Sequence, residues 1–94
     1  MIVIEKYGKV VGFVSFINEA AMTGFFIRPS VQRKGLGGVL MKYVQSHKRK
    51  IKLAVYAKNQ NAISFYEHHG FSRTEPKINE ENNQPYIEMH WELQ

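Results

Sequence analysis

The chain contains no cysteine. A disulfide framework, a thiolate zinc site and a cysteine nucleophile are excluded together. It contains no aspartate either, so any carboxylate chemistry falls to its eight glutamates. No apolar run approaches the roughly 20 residues that span a bilayer. The N-terminus lacks the basic stretch, apolar core and small-residue cleavage site of a secretory leader. These absences predict a cytoplasmic protein that does not sit in a membrane. Acids are missing from the whole middle of the chain. Between Arg28 and Lys58 lie nine of the thirteen Lys and Arg residues and no acid, whereas from Glu67 onward six acids face only Arg73 and Lys77. A positive middle and a negative end follow. The positive middle suits a polyanion, either nucleic acid or a phosphorylated cofactor.

What is present is a globular composition, 44% hydrophobic and 13% aromatic, in 94 residues. That length predicts one domain over residues 1–94. Ile2 to Glu5 and Val10 to Ile17 read as strands around a Tyr7-Gly8-Lys9 turn, hence a hairpin. Ala21 to Ile27 reads as a third strand, with Gly24 marking a bulge or a close backbone approach. Leu36, Val39, Leu40, Tyr43 and Val44 then form a helical stripe. Ile51 to Tyr56 alternates as a fourth strand. Asn59 to Asn61 caps a second helix with the stripe Ala62, Phe65, Tyr66 and His69, stopped by Gly70. Phe71 to Thr74 reads as a short strand and 76–85 as a polar loop. In the last strand, Ile87, Met89, Trp91 and Leu93 share one face, and Tyr86, Glu88, His90 and Glu92 the other. The order βββαβαββ predicts an α/β fold with a mixed sheet.

Gln32-Arg33-Lys34-Gly35-Leu36-Gly37-Gly38 joins a strand to a helix start. A helix N-terminus offers unpaired N–H groups and partial positive charge to a phosphate. Glycines allow close backbone approach, and Arg33 and Lys34 add charge. A glycine-bearing helix start without any ligand stays open on composition alone. The P-loop pattern lacks its Lys-Ser/Thr pair, and the dinucleotide pattern lacks its third glycine and later acid.

The segment Gln32 to Gly37 resembles the GNAT N-acetyltransferase signature Gln/Arg-x-x-Gly-x-Gly/Ala, and it follows Phe26-Ile27-Arg28-Pro29 as that signature usually does. Asn59-Gln60-Asn61-Ala62-Ile63-Ser64-Phe65-Tyr66-Glu67-His68-His69-Gly70-Phe71 resembles the family's second signature, Asn-x-x-Ala-x-x-Phe-Tyr-x-x-x-Gly-Phe. The resemblance runs from about Val10 to Leu93 and is strongest to small bacterial members, some of which acetylate protein lysines. It implies acetyl-CoA as cosubstrate. It places the backbone of Phe25, Phe26 and Ile27 along the pantetheine arm and Gln32, Arg33, Lys34, Gly35, Leu36, Gly37 and Gly38 around the pyrophosphate. Asn59 and Ala62 then border the arm, and Tyr66 lies near the thioester sulfur. Divergence of two parallel strands around Gly24 and Lys52 opens the slot for the arm.

The implied reaction moves an acetyl group to a primary amine, on a small molecule or on a protein lysine or N-terminus, by direct attack in a ternary complex. A lysine amine has a reference pKa of ~10.4, so roughly one in a few thousand is neutral at pH 7 and a base or a desolvated slot is needed. Tyr66 is the candidate acid for the leaving thiolate, against a plain packing role on its helix stripe. Glu88 is the candidate base, with His90 on the same polar face and Glu19 on a turn as alternatives, against a solvated strand face. No histidine pair has metal-ligand spacing, and no metal is expected. Lys48, Arg49, Lys50 and Lys52 lack interleaved aromatics, and no nucleic-acid module signature is present. GNAT domains usually open with a strand and two helices that build much of the acceptor site. This order starts at what resembles the second strand, an N-terminally truncated version. A CoA-binding module without turnover, or a half-site completed by a partner, is therefore the alternative reading. An unpaired first strand with Trp91 and Leu93 near the end of the chain predicts a homodimer.

Overall fold

Gly8, at φ 78°, makes the turn between β1 (Ile2–Lys6) and β2 (Lys9–Phe16), which pair as an antiparallel hairpin. In the computed structural model, which describes residues 2–6, 8–29 and 35–94, β2 also pairs antiparallel with β3 (Met22–Ile27). Asn18 closes the intervening turn: its Oδ1 accepts from the N–H of Ala20 at 2.9 Å and of Ala21 at 2.8 Å, as an Asx turn does. Ser15 lies opposite Gly24 but Phe16 lies opposite Met22. Thr23 is thus an extra residue, and the bulge expected near Gly24 is present.

A second antiparallel sheet follows α1 (Leu36–Ser46). In it β4 (Lys50–Tyr56) pairs along its whole length with β7 (Pro85–Glu92). The other edge of β7 carries two short strands in succession, β5 (Ser72–Arg73) and β6 (Lys77–Ile78). The sequence reading placed a plain loop where β6 lies. Pro76 has no N–H to donate, so the ladder breaks there and resumes one residue later. The order of elements is otherwise the expected one. The two sheets meet at a single parallel bridge, Ala21 to Lys52, with the Lys52 N–H donating to the Ala20 carbonyl at 2.8 Å.

Helix α1 and helix α2 (Gln60–His68) lie side by side on one face. Leu40, Met41, Val44 and Ile63 from the helices join Val11, Val14, Ile51, Leu53, Ile87 and Met89 from the strands in one core. Each such side chain contributes about 1.5–3 kcal/mol on burial. The face of α1 differs from the expected stripe. Val39 is 61% exposed and Tyr43 51%, while Met41 is fully buried. The helix turns its Gly37 side toward α2, which rotates Val39 and Tyr43 outward. The opposite face of the sheets carries Phe13, Phe26 and Tyr56. Phe26 stacks on Phe13 with centroids 5.7 Å apart and stays 45% exposed. No helix among the described residues is long and apolar enough to cross a membrane.

Candidate active site

Beyond the Ala21–Lys52 bridge, no ladder links β3 to β4. The two strands run parallel at that bridge and exchange no further ladder pairs. Such a seam admits an extended ligand arm that can pair with strand backbone on its two sides. The slot expected around Gly24 and Lys52 would lie along this seam.

At one end of this seam lies the start of α1. Gly35 occupies the N-cap position at φ 77°, in the left-handed region that suits glycine. Among the described residues no side chain caps the helix, and its first turn holds no acid. A helix start of this kind directs its first N–H groups outward, in the arrangement that binds phosphate. Gln32, Arg33 and Lys34 lie outside the described residues.

The other glycines of the loop also serve helix packing. A Cβ on Gly37 would stand 3.3 Å from a ring carbon of Phe65 and 3.7 Å from Ile27, and one on Gly38 would stand 3.5 Å from Nε2 of His69. These positions face α2 and β3. Gln45 adds a side-chain hydrogen bond to the His69 carbonyl at 2.8 Å. Gly37 and Gly38 bring the helices together, whereas a Cβ on Gly35 would meet no described atom within 4 Å.

Close helix packing in turn positions the aromatic residues. Phe25, half-buried on β3, meets Phe65 at 5.4 Å and Tyr66 at 6.3 Å, ring centroid to ring centroid. Phe71 supports Tyr66 from below at 5.5 Å. This apolar cage desolvates the phenol and raises its pKa above the usual tyrosine value. Tyr66 thus keeps its proton at neutral pH, in reach of β3. Ile27 is buried beside Gly37, whereas Phe26 points to the opposite face. Leu36 packs half-buried against the core.

Asn59 is the N-cap of α2. Its Oδ1 accepts from the Ala62 N–H at 3.2 Å, and its own N–H donates to the Tyr56 carbonyl at 2.9 Å. The cap ties α2 to the end of β4 and leaves the side-chain NH₂ group for other contacts.

Glu88 stands apart from Tyr66. It lies on the sheet face away from the helices, directly across from Ala54 in the β4–β7 ladder. Lys77 of β6 forms an ion pair with it. That hydrogen bond and charge lower the Glu88 pKa. The pairing depends on β6, which sequence reasoning missed. His90 pairs across from Lys52, further along the same face.

A cavity of about 770 Å³ opens at the C-terminal end of β4. Ala54, Tyr56 and Tyr86 form its strand wall, Asn59 one end, and Ile78 of β6 with Glu80 and Glu81 of the turn after it the facing side. Sequence reasoning missed it. The available signal was Tyr56 and Tyr86, each on the outward face at the end of a strand.

A family model described as an acetyltransferase (GNAT) domain matches residues 1–93. The chain belongs to the GNAT acetyltransferase family. This GNAT chain is 38% identical over 87 residues to the peptidyl-lysine N-acetyltransferase YiaC of Escherichia coli (strain K12), a match covering 93% of this chain and 60% of YiaC. The chain therefore spans less than two thirds of that curated relative. Among solved structures, Ard1 from Thermoplasma volcanium is similar with a TM-score of 0.81 and 26% identity, over 94% of this chain and 66% of Ard1. A GNAT family acetyltransferase from Elizabethkingia anophelis, solved with acetyl-CoA bound, shares the fold at a TM-score of 0.77 and 16% identity, over 97% of this chain and 74% of its own.

Proposed function

We propose that this GNAT chain binds acetyl-CoA along the seam between β3 and β4 and transfers its acetyl group to a primary amine. One observation carries the reading: two parallel strands are joined by a single bridge beside a helix start that no described side chain caps. An arm in the seam would lie along Phe25, and its pyrophosphate would meet the α1 end at Gly35 and Leu36. Acetyl-CoA in the Elizabethkingia relative supports the choice of cosubstrate, and the name of YiaC supports an amine on a peptide lysine as acceptor.

In this reading the neutral amine nitrogen attacks the thioester carbonyl carbon. The new C–N bond forms and the C–S bond breaks. Tyr66 gives its proton to the departing thiolate, and the surplus proton of the amine leaves to water. The products are the acetamide and CoA thiol, and the proton lost by the amine balances the one that restores Tyr66. Glu88 accepts the amine proton through water only if its pair with Lys77 opens, because that pair lowers its basicity. The same pairing favours a second reading, a CoA-binding module without turnover.

The test is a melting curve with and without acetyl-CoA, followed by thiol release in the presence of amines. Ligand at 100 times its Kd adds about 2.7 kcal/mol. At about 4–8 °C per kcal/mol for a domain of this size, the midpoint should rise by roughly 10 °C or more. No rise at millimolar acetyl-CoA removes the proposal. A rise without thiol release selects the binding module.

A further inference from the structure

We propose that the cavity at the C-terminal end of β4 holds an acceptor amine that carries a second positive charge beyond the reacting nitrogen. The proposal rests on the acetyl-transfer reading and names the class of acceptor. The cavity begins at Ala54, two residues beyond the Lys52 bridge where the seam opens. Seam and cavity therefore share one stretch of β4.

The lining is unusual for this chain. Cations outnumber acids thirteen to eight overall, yet the cavity is lined by Glu80 and Glu81 and by no Lys, Arg or His. Glu88, which lies nearby, has its own cation in Lys77. Glu80 and Glu81 form no ion pair among the described residues. Such a lining repels the phosphates of the cofactor and attracts an ammonium group. Opposite the acids stand Tyr56 and Tyr86, direct cross-strand partners. Tyr56 is held in place by the Asn82 side chain, which donates to its hydroxyl at 3.0 Å. Aromatic faces attract alkylammonium groups by their negative quadrupole, and Ile78 offers apolar surface to the methylenes between two nitrogens. Ala54 has no bulk to obstruct the passage of the reacting amine toward the seam. The fitting ligand is an alkyl chain with one amine toward Ala54 and a second charge at Glu80 and Glu81. A free polyamine and a lysine side chain in a basic peptide both supply this chemistry.

The experiment measures equilibrium binding of cadaverine, of a blocked Lys-Arg dipeptide and of n-hexylamine by calorimetry, in the full chain, with and without CoA. Turnover is measured in parallel at saturating acetyl-CoA. Hexylamine has the length of the chain but no second charge. We expect the two dications to bind more tightly than hexylamine and to weaken as salt is raised. The double substitution Glu80→Gln, Glu81→Gln should raise their Kd and KM by about fivefold for each charge lost, the upper range for a solvent-exposed pair, with hexylamine unchanged. Both acids lie on an exposed turn without ion pairs, so the variant retains the fold and its acetyl-CoA melting shift. Tyr86→Leu, which keeps bulk and removes the ring, should weaken the dications further. Loss of cadaverine binding alone assigns a free polyamine, and loss of dipeptide binding alone assigns a peptide lysine. Equal binding of hexylamine and the dications, no effect of the double substitution, or no amine binding at millimolar concentration overturns the proposal. Failure of acetyl-CoA to bind overturns the transfer reading instead, while amine binding still scores the cavity.

Discussion

Valine at position 37 should destabilise the protein through helix packing. A β-carbon there already stands 3.3 Å from the Phe65 ring, 3.6 Å from a second of its carbons and 3.7 Å from Ile27. The two γ-carbons of valine reach about 1.5 Å further, into space these side chains fill. Phe65 is held by Phe25 at 5.4 Å and His69 at 4.6 Å, so it cannot move without disturbing both. Overpacking of this kind costs about 1–3 kcal/mol. The gain in helix propensity over glycine returns a few tenths, about 0.4 kcal/mol. The net loss corresponds to a midpoint roughly 5–15 °C lower for a domain of this size. Circular dichroism melts of Gly37→Val against wild type measure it. Gly37→Ala is the control, because its mild crowding is offset by about 1 kcal/mol of helix propensity and its midpoint should stay near wild type. Adding Phe65→Leu to Gly37→Val should recover part of the loss, a coupling that neighbours in contact show. A Gly37→Val protein that melts with wild type, or no recovery from Phe65→Leu, refutes the packing argument and returns Gly37 to the ligand side.

Three further outcomes follow from the site. Tyr66→Phe keeps the ring among Phe25, Phe65 and Phe71 and removes only the hydroxyl; turnover should fall by about 10²–10⁴-fold with the acetyl-CoA melting shift intact, and a loss of less than a few-fold in single-turnover kinetics makes Tyr66 a packing residue. Burial raises the Tyr66 pKa in the folded state. The stability this contributes is complete below the unfolded phenol value and is lost as pH rises through the folded one. Wild type should therefore lose more stability than Tyr66→Phe in denaturant titrations above about pH 10, and parallel curves exclude this term. Asn59→Ala removes the α2 cap and should cost about 1 kcal/mol in a urea titration; an unchanged midpoint means that water replaces Oδ1.

Much of this was legible because strands and helix starts carry local signals. The Asn59 cap, the bulge opposite Ser15 and the alternation of β4 and β7 all appear in the residues themselves. The face of α1 was less legible. Val39 and Tyr43 fit a helical stripe as well as Met41 does, and only the approach of α2 at Gly37 decides which residues turn inward. β6 escaped because two residues beyond a proline carry no pattern. The ion pair of Glu88 escaped with it, as Lys77 reaches Glu88 only when β6 pairs with β7. The cavity joins Tyr56, Glu80 and Tyr86, which lie on three elements, and no spacing along the chain announces such a meeting.

The single bridge between the sheets also concerns the exchange of backbone protons. Within each sheet, neighbouring strands protect one another's amides. Across the seam, the Lys52 amide is held by the Ala20 carbonyl at the one bridge. Beyond it, the edges of β3 and β4 that face the seam have no ladder to slow deuterium uptake. A pantetheine arm carries two amides of its own and would stand in for the missing strand. Acetyl-CoA should then slow exchange in a narrow band on the facing edges of β3 and β4, with β1 and the β5–β7 edge unchanged. Cofactor binding would in this way complete a sheet that the polypeptide leaves divided.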